Sequence, residues 1–259
     1  MSTLLEISGL RVRYRSGRSE AEALRGIDLS LSASERVAVI GESGSGKSTL
    51  ALAIAGLLPR DTLLEGDIRW PGLAHAPRNG KDIGFVFQDP GGTLDPVISV
   101  GRQVAEVAEV NLGFSRRRAM DLAAELFERV RLQGTLLHAY PHQLSGGQRQ
   151  RVGIAAAIAA GPAVLVADEP TSALDTIVQA EIVSLIGRLV RESGMALLIV
   201  SHDIALAVAI ADRIVVLKDG AVVEAGESAE IVARPRAAYT QKLLAACLTL
   251  DETADEGAL

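Results

Sequence analysis

The chain has 259 residues, one cysteine and a formal net charge of −6. This length can bury one large apolar core, or a core with a subdomain, and the lone Cys247 excludes an internal disulfide and a cysteine-built metal site. We predict a reducing compartment with Cys247 as a small buried residue, and the acidic charge argues against a nucleic-acid surface. No apolar run approaches the roughly 20 residues that span a bilayer, and no signal-peptide pattern is found, so a soluble, cytoplasmic protein that could dock on a membrane protein is expected.

The first third of the chain is predicted to be mainly β-structure. Apolar residues alternate over 4–31, which predicts an antiparallel β-layer with a hairpin-like loop. The continuous apolar run 37–40 is typical of a parallel strand buried on both faces, and a helix-prone run follows at 50–58. Two further strands are expected at 63–70 and 81–87.

The middle of the chain changes to helical character. Apolar residues at helical spacing over 99–132 predict a helical subdomain that is inserted into an α/β core. The core is expected to resume with a strand at 163–167, a helix at 175–192 and a strand at 195–200. Shorter strands at 213–217 and 221–224, then a helical tail from 227 that is acidic and frayed at 251–256, complete the predicted elements.

A glycine-rich turn lies between the predicted strand 37–40 and the helix that follows it. Its spacing, G-x-x-x-x-G-K-S, is that of a loop whose backbone N–H groups hold phosphate at a helix N-terminus. Lys47 is expected to reach the β- and γ-phosphates and Ser48 to ligate Mg²⁺. The alternative is a flexible glycine–serine loop. The predicted nucleotide-binding residues of this turn are Gly41, Ser43, Gly44, Ser45, Gly46, Lys47, Ser48 and Thr49.

Polar side chains also follow three predicted strands. Asp168 and Glu169 end the apolar run 164–167; in a P-loop protein the first completes the Mg²⁺ shell and the second polarises the attacking water, although charge at a strand end is common in other α/β folds. His202 follows the next strand and is interpreted as a contact to the γ-phosphate and the water, where the alternative is a structural histidine. Gln88 is interpreted as a neutral ligand that reaches Mg²⁺ and the water, where the alternative is a surface amide.

A second predicted anion site opens the helix that runs through 149–160. Ser145 is a good N-cap, and the glycines after it expose backbone N–H groups. One ATP needs only one cradle, so the economical arrangement is a head-to-tail dimer in which each of these helices closes over the γ-phosphate held by the partner. The residues assigned to this contact are Ser145, Gly146, Gly147 and Gln148.

Together these motifs resemble the ATP-binding-cassette (ABC) ATPase family over nearly the whole chain. The turn is similar to the Walker A loop, Gln88 to the Q-loop glutamine, and residues 144–148 to the signature motif. Asp168 and Glu169 resemble the Walker B aspartate and the catalytic glutamate. The resemblance further implies that Tyr14 stacks on adenine, that Asp175 belongs to the D-loop of residues 172–175, and that His202 is the switch histidine.

The resemblance implies a fold, cofactors and roles. The fold class is α/β: a RecA-like P-loop core at 1–88 and 161–226 with an antiparallel β-subdomain, an inserted helical subdomain at 89–160, and a helical tail at 227–259. ATP and Mg²⁺ are the implied cofactors. The implied catalytic residues are Glu169, His202, Gln88 and Lys47, and the implied metal ligands are Ser48, Gln88 and Asp168.

More narrowly, the chain is similar to the importer branch for peptides, nickel and metal chelates. This implies a second ABC ATPase subunit, either a similar but distinct chain or a second copy, together with two transmembrane permease subunits and an external substrate-binding protein. It also implies a peripheral location on the cytoplasmic face of the cell membrane and no nucleic acid. The residues that carry the likeness lie at 87–90, 94–96, 140–143, 167–171 and 178–180, with Pro235, Tyr239 and Thr240 in the tail.

Three departures from this branch affect its docking surface and its tail. Gly91-Gly92 replaces bulkier residues in the segment expected to face the membrane subunits, Gln143 stands where Glu is usual, and Ala237-Ala238 replaces a His-Pro pair. The chain also lacks the C-terminal four-cysteine cluster of many peptide importers, which favours the nickel or metal-chelate members.

Two other classes of protein share part of this pattern. A GTP-binding switch needs an N-K-x-D segment, and the two asparagines, Asn79 and Asn111, are not in that context. A soluble ABC-type ATPase that acts on nucleic acid or ribosomes shares every catalytic motif, but such proteins usually have two cassettes or a coiled-coil insertion and basic surfaces.

Overall fold

The computed structural model describes residues 2–16, 19–172 and 174–245. Cys247, the acidic segment 251–256 and the last residues of the predicted tail lie outside the described residues, as does Ala173 of the predicted D-loop. The chain forms two compact units, each of which has its own internal packing. The first unit comprises Met1–Gly72 and Ile199–Leu259, and the second comprises Leu73–Leu198.

Nine strands occur in the described parts of the chain. In chain order they are β1 (Thr3–Ser16), β2 (Ser19–Ser32), β3 (Arg36–Ile40), β4 (Leu63–Arg69), β5 (Ile83–Val86), β6 (Val164–Asp168), β7 (Ala196–Ser201), β8 (Arg213–Lys218) and β9 (Ala221–Glu227).

Eight helices lie between or after these strands in the described parts of the chain. They are α1 (Lys47–Ile54), α2 (Pro90–Thr93), α3 (Val100–Leu112), α4 (Arg116–Arg129), α5 (Gly146–Ile158), α6 (Thr176–Ser193), α7 (Ile204–Ile210) and α8 (Ser228–Ala233). Four of them, α2 to α5, follow in succession between β5 and β6. A further helix, which we call the tail helix, is described over residues 238–245. Short 3-10 helices cover Gly134–His138 and Pro141–Gln143.

Two sheet segments make up the β-structure of the first unit. The first is an antiparallel sheet in the order β2-β1-β4, in which Leu10 pairs with Ile27 and Val12 with Leu24, all four side chains fully buried. The second contains β3 and β8, which are parallel, and β9, which is antiparallel to β8. This confirms the predicted β-layer at 4–31 and the parallel strand at 37–40.

The second unit joins a parallel strand pair to a helical region. Strands β5 and β6 run side by side, with Ile83 opposite Val164 and Val86 opposite Ala167. Every residue of β6 is buried, as its continuous apolar run predicted. Since the strands are parallel, their carboxyl ends lie next to each other, which brings the residues after β5 towards those after β6.

Several predicted elements differ from the observed ones. The helical stretch 99–132 consists of two helices, because Gly113 ends α3 in a left-handed conformation and Ser115 caps α4. Helix α1 begins at Lys47 and ends at Ile54, earlier than the predicted 50–58. Helices α2 and α7 were not predicted; α7 is short and rich in alanine and β-branched residues, so it has no clear helical period.

Two predictions concern the chain as a whole: whether any segment could span a membrane, and where the subdomains begin and end. No helix in the described parts of the chain is long and apolar enough to cross a membrane. The subdomain boundaries predicted from the sequence stay a prediction.

Candidate functional site

The glycine-rich turn follows β3 and opens α1 in the first unit. Gly44 and Gly46 have φ values of +82° and +101°, in the region that favours glycine. A Cβ atom on Gly46 would lie 2.5 Å from the Ala23 carbonyl oxygen, and one on Gly41 would lie 2.2 Å from the Leu217 carbonyl oxygen. Because backbone carbonyls cannot swing aside, the turn needs glycine at these positions, and it keeps the tight curl of an anion cradle.

Lys47 lies inside this turn. Its side chain is 4% exposed, and Nζ donates to the carbonyl oxygens of Gly41 and Glu42 at 2.9 Å each. The Ser45 hydroxyl is also buried and has no hydrogen-bond partner among the described residues. Helix α1 begins at Lys47 with Gly46 as its N-cap and no side-chain capping bond. A buried cation, an orphaned hydroxyl and a helix end without a side-chain cap are the complement of a phosphate group.

The other residues that the sequence assigned to nucleotide binding in this unit lie on the glycine-rich turn or beside it. Tyr14 is on β1, and its hydroxyl donates to Thr49 Oγ1 at 3.2 Å, so this aromatic ring does sit beside the loop. Ser43 and Gly44 are exposed at the tip of the turn, and Ser48 is half-buried in the first turn of α1. Stacking of Tyr14 on adenine stays a prediction.

In the second unit, Gln88 and Glu169 meet beyond the ends of β5 and β6. Gln88 Nε2 donates to Glu169 Oε2 at 3.4 Å, and Asp168, the last residue of β6, is 7% exposed. Glu169 has a φ of +42°, an unusual value for a residue with a side chain. Such backbone strain tends to occur where the surrounding structure holds a functional group in place.

The turn after Glu169 is fastened by side chains that sequence reasoning gave no role in the site. Ser172 donates to the Glu169 carbonyl oxygen through both N–H and Oγ, each at 3.3 Å. Gln179 Nε2, on α6, donates to the carbonyl oxygens of Thr171 and Leu174 at 3.1 and 3.0 Å. The likeness to the importer branch included Gln179, but no local pattern indicates that its amide holds the loop.

The predicted signature residues form the N-terminus of α5. Ser145 is its N-cap: Ser145 Oγ accepts from Gln148 N at 3.2 Å, and Gln148 Oε1 accepts from Ser145 N at 2.9 Å. This reciprocal capping box confirms the predicted N-cap and also occupies the Gln148 side chain. The contact of these residues with a nucleotide stays a prediction.

The two signature glycines also have a packing role. A Cβ atom on Gly146 would lie 3.3 Å from Leu174 Cδ2, and one on Gly147 would lie 2.8 Å from Val178 Cγ1. Glycine therefore lets the start of α5 approach the start of α6, in addition to leaving backbone N–H groups accessible.

Asp175 and His202 follow the remaining motifs. Asp175 Oδ1 accepts from Val178 N at 3.0 Å and caps α6, so this residue has a structural role in the chain as it stands. His202 is exposed directly after β7, as predicted, and Asp203 caps the next helix through Leu206 N at 3.1 Å.

A cavity of about 140 Å³ lies beside helix α5 in the second unit. Gln150, on α5, is 1% exposed and its amide nitrogen has no hydrogen-bond partner among the described residues. Gly91, which departs from the importer pattern, folds back so that its N–H donates to Asp89 Oδ1 at 2.8 Å. The cavity is lined by Gln88, Asp89, Gly91, Gly146, Arg149, Gln150, Pro170 and Leu174.

Comparison with known proteins identifies the family. The family model described as ABC transporter matches residues 24–172. The chain belongs to the ABC transporter family. A Brucella melitensis relative with the provisional name of a peptide import ATP-binding protein is 42% identical over 258 residues, which cover 93% of this chain and 76% of the relative. A Brucella abortus relative with the same kind of name is 41% identical and covers 97% of this chain.

Solved ABC proteins have the same fold. A dimeric ATP-binding cassette in a post-hydrolysis state, bound to ADP and phosphate, is 30% identical, with a TM-score of 0.76 over 87% of this chain and 99% of the other. A Clostridium perfringens protein that is part of an ABC transporter complex is also 30% identical, with a TM-score of 0.75 over 90% and 92% of the two chains. The predicted α/β cassette fold is thus confirmed, and this ABC protein is an ATPase that binds ATP.

The chemistry of the residues fits ATP with Mg²⁺. The Lys47 ammonium, the Ser45 hydroxyl and the start of α1 suit phosphate oxygens. The predicted metal ligands, Ser48, Gln88 and Asp168, offer hydroxyl, amide and carboxylate oxygens, which are the donors that Mg²⁺ prefers.

Proposed function

We propose that this ABC ATPase hydrolyses ATP between two ATPase subunits and so powers import through partner membrane subunits. The observation that carries the proposal is that two helices of one chain, α1 and α5, each begin at a glycine-containing turn of a kind suited to phosphate. Helix α1 begins at the buried Lys47 directly after the glycine-rich turn, and helix α5 begins directly after Ser145, whose side chain caps it. One ATP uses one cradle, so the second is available to the nucleotide of a partner.

The residues of the chain take these roles in hydrolysis. Glu169 orients the attacking water and receives its proton, as the bond from water to the γ-phosphorus forms and the bond from that phosphorus to the bridging oxygen of ADP breaks. Gln88 supports this step because its amide contacts the Glu169 carboxylate. His202 contacts the γ-phosphate and helps to position the water.

Charge is balanced by the two helix ends and by the cation. Lys47 and the backbone N–H groups of Gly146 and Gly147 stabilise the negative charge that develops on the γ-phosphate oxygens, since the N–H groups of Ser145 and Gln148 are used in the capping box. Ser48, Gln88 and Asp168 would hold Mg²⁺, which would neutralise phosphate charge when bound. Asp175 contributes to the contact with the partner, and Tyr14 stacks on the base.

The transported solute is proposed to be a peptide. The relatives named as peptide import proteins match over more than nine-tenths of this chain, which outweighs the absence of a four-cysteine cluster as an argument for nickel or a metal chelate. The partners are then a similar but distinct ATPase or a second copy, two permease subunits and an external substrate-binding protein. The ATPase works at the cytoplasmic face of the membrane.

Docking to the permease is proposed to use the segment that contains Gly91 and Gly92. This segment lines the cavity beside α5, where Asp89, Arg149 and Gln150 offer charged and amide groups to a partner side chain. The subdomain boundaries are proposed as 1–88 with 161–226, 89–160, and 227–259.

The test is Glu169→Gln, which keeps the size of the side chain but removes the base. We expect hydrolysis to fall by roughly 10²- to 10⁴-fold and an ATP-bound dimer to accumulate, measured by phosphate release and by light scattering after size exclusion. Glu125→Gln, on the exposed face of α4, is the matched control. Normal turnover in Glu169→Gln would falsify the assignment.

A second experiment separates transport from the nucleic-acid alternative. The ATPase is added to vesicles that contain the permease and the substrate-binding protein, and ATP-dependent peptide uptake is measured. The proposal fails if there is no uptake while hydrolysis is stimulated by RNA, DNA or ribosomes.

A further inference from the structure

Tyr239, on the tail helix, contacts the glycine-rich turn of the same unit. The backbone N–H of Glu42, the second residue of the glycine-rich turn, donates to Tyr239 Oη at 3.0 Å. The two residues are far apart in sequence, so the end of the described chain returns to the beginning of the ATP cradle.

This hydrogen bond acts on the peptide unit that holds Lys47. The Gly41 carbonyl oxygen and the Glu42 N–H belong to one peptide group: the oxygen accepts from Lys47 Nζ at 2.9 Å, and the N–H donates to Tyr239. A peptide group that donates and accepts at the same time is polarised, so each bond strengthens the other. The Tyr239 hydroxyl therefore helps to fix the orientation of the carbonyl that Lys47 uses.

The ring of Tyr239 is held next to the loop. Lys218 Nζ lies 5.0 Å from the ring centroid, in a cation–π contact at the end of β8. The preceding residue, Leu217, supplies the carbonyl oxygen that would clash with any Cβ on Gly41. Tyr239 therefore contacts Glu42, while the end of β8 lies against Gly41, the residue before it.

The tail helix is anchored independently of the loop. The Glu224 carboxylate, on β9, accepts from the N–H groups of Arg236 and Ala237 at 2.8 and 3.0 Å, just before the tail helix begins. Burial alone would raise the pKa of Glu224, but the hydrogen bonds that it accepts outweigh this effect and lower the pKa. The Glu224 carboxylate thus holds the two residues that lead into the tail helix.

We propose that Tyr239 is a positioning residue for ATP binding, which acts through the Gly41–Glu42 peptide on the phosphate-binding Lys47. The tail thereby belongs to the nucleotide site, and a partner that displaces the tail helix lowers the affinity for ATP. This inference rests on the assignment of the 41–49 turn as the ATP cradle.

The test is Tyr239→Phe, which keeps the ring and its contact with Lys218 but removes the hydroxyl. We expect the dissociation constant for ATP to rise about fivefold, the equilibrium factor for one ordinary hydrogen bond, with kcat little changed. Hydrogen exchange of the Glu42 amide, followed by NMR, should accelerate by a similar factor. A merely structural role would lower the melting temperature and could also accelerate this exchange, but it would leave the affinity for ATP unchanged.

Two further variants make the result specific. Gln241→Ala removes another tail hydrogen bond, from Nε2 to the Pro235 carbonyl oxygen at 3.0 Å, and should leave ATP affinity unchanged. Lys47→Ala tests the cradle itself. If Lys47→Ala binds ATP normally, the cradle assignment fails. If Lys47→Ala loses ATP while Tyr239→Phe retains wild-type affinity, only the role of Tyr239 is overturned, whatever the exchange rate of the Glu42 amide.

Discussion

Helices α1 and α5 both begin at a glycine-containing turn, yet their first turns are completed in different ways. Helix α1 has Gly46 as its N-cap, with φ of +101° and no side-chain capping bond, and Lys47 is buried at its first position. Helix α5 has Ser145 as its N-cap, and a capping box with Gln148 ties its first turn together.

The difference indicates what each helix end is built to do. The start of α1 is wrapped by a loop that only glycine can form, and it holds its own cation, so it suits a ligand that stays bound. The start of α5 is stabilised by its own side chains before any ligand arrives, which suits a surface that meets its ligand only when a partner brings it. The first helix end should govern binding and the second should govern turnover.

The largest effect is expected from Lys47→Ala. This substitution removes the buried ammonium from the first cradle, so ATP affinity and hydrolysis should both fall, with hydrolysis reduced by roughly 10²-fold or more. Binding is measured by calorimetry and turnover by phosphate release. Lys81→Ala, outside the site, is the control. Normal ATP affinity in Lys47→Ala would show that the start of α1 does not govern binding.

An intermediate effect is expected from Gly147→Ala in the second helix end. The new Cβ would press on Val178 Cγ1 at 2.8 Å, so we expect hydrolysis to fall by roughly tenfold while the ATP affinity of the monomer is unchanged. Gly134→Ala, where a Cβ meets nothing within 4 Å, is the control.

The double variant Gly147→Ala/Val178→Ala separates the two functions of Gly147. Removing the Val178 methyl groups relieves the clash with α6. Recovery of hydrolysis would show that packing was the cause, whereas a persistent defect would indicate that the new methyl group blocks the approach of the partner's phosphate.

Much of this comparison could be predicted from the sequence, because it depends on local patterns. The loop spacing predicted the tight glycine-rich turn before Lys47, and the serine before two glycines predicted the N-cap of α5. The alternating and continuous apolar runs predicted the strands that carry them. Helix α7 was missed because its sequence has no clear helical period. The bounds of α1 were inaccurate because this helix begins at Lys47, inside the G-x-x-x-x-G-K-S motif.

The remaining features depend on residues that are distant in sequence. The Glu42 N–H that donates to Tyr239 and the close approach of Gly147 to Val178 are products of tertiary packing, which no local spacing encodes. The left-handed φ of Glu169 was also not predicted, although it is a local feature: Ser172, which donates to the Glu169 carbonyl oxygen, lies only three residues away, and nothing in the identities of these residues indicates the φ.

The smallest effect is expected from Ser145→Ala, which removes the cap of α5. Gln148 N loses its acceptor, so the free energy of unfolding should fall by about 1 kcal/mol, measured by urea denaturation. Ser99→Ala is a matched control, because Ser99 is the N-cap of α3 but makes no side-chain capping bond. Equal losses in the two variants would mean that the capping box adds nothing to stability.

In the proposed dimer, each chain supplies the start of α1 to one ATP site and the start of α5 to the other. This arrangement can be tested on one purified sample in which the concentration of this chain, or of its partner ATPase, is raised step by step. At each step ATP binding, the rate of hydrolysis per chain and the oligomeric state are measured. The expectation is that the monomer binds ATP through Lys47 but hydrolyses it poorly, and that the rate per chain rises in proportion to the fraction of dimer. Full hydrolysis by a monomer, at a rate independent of concentration, would contradict it.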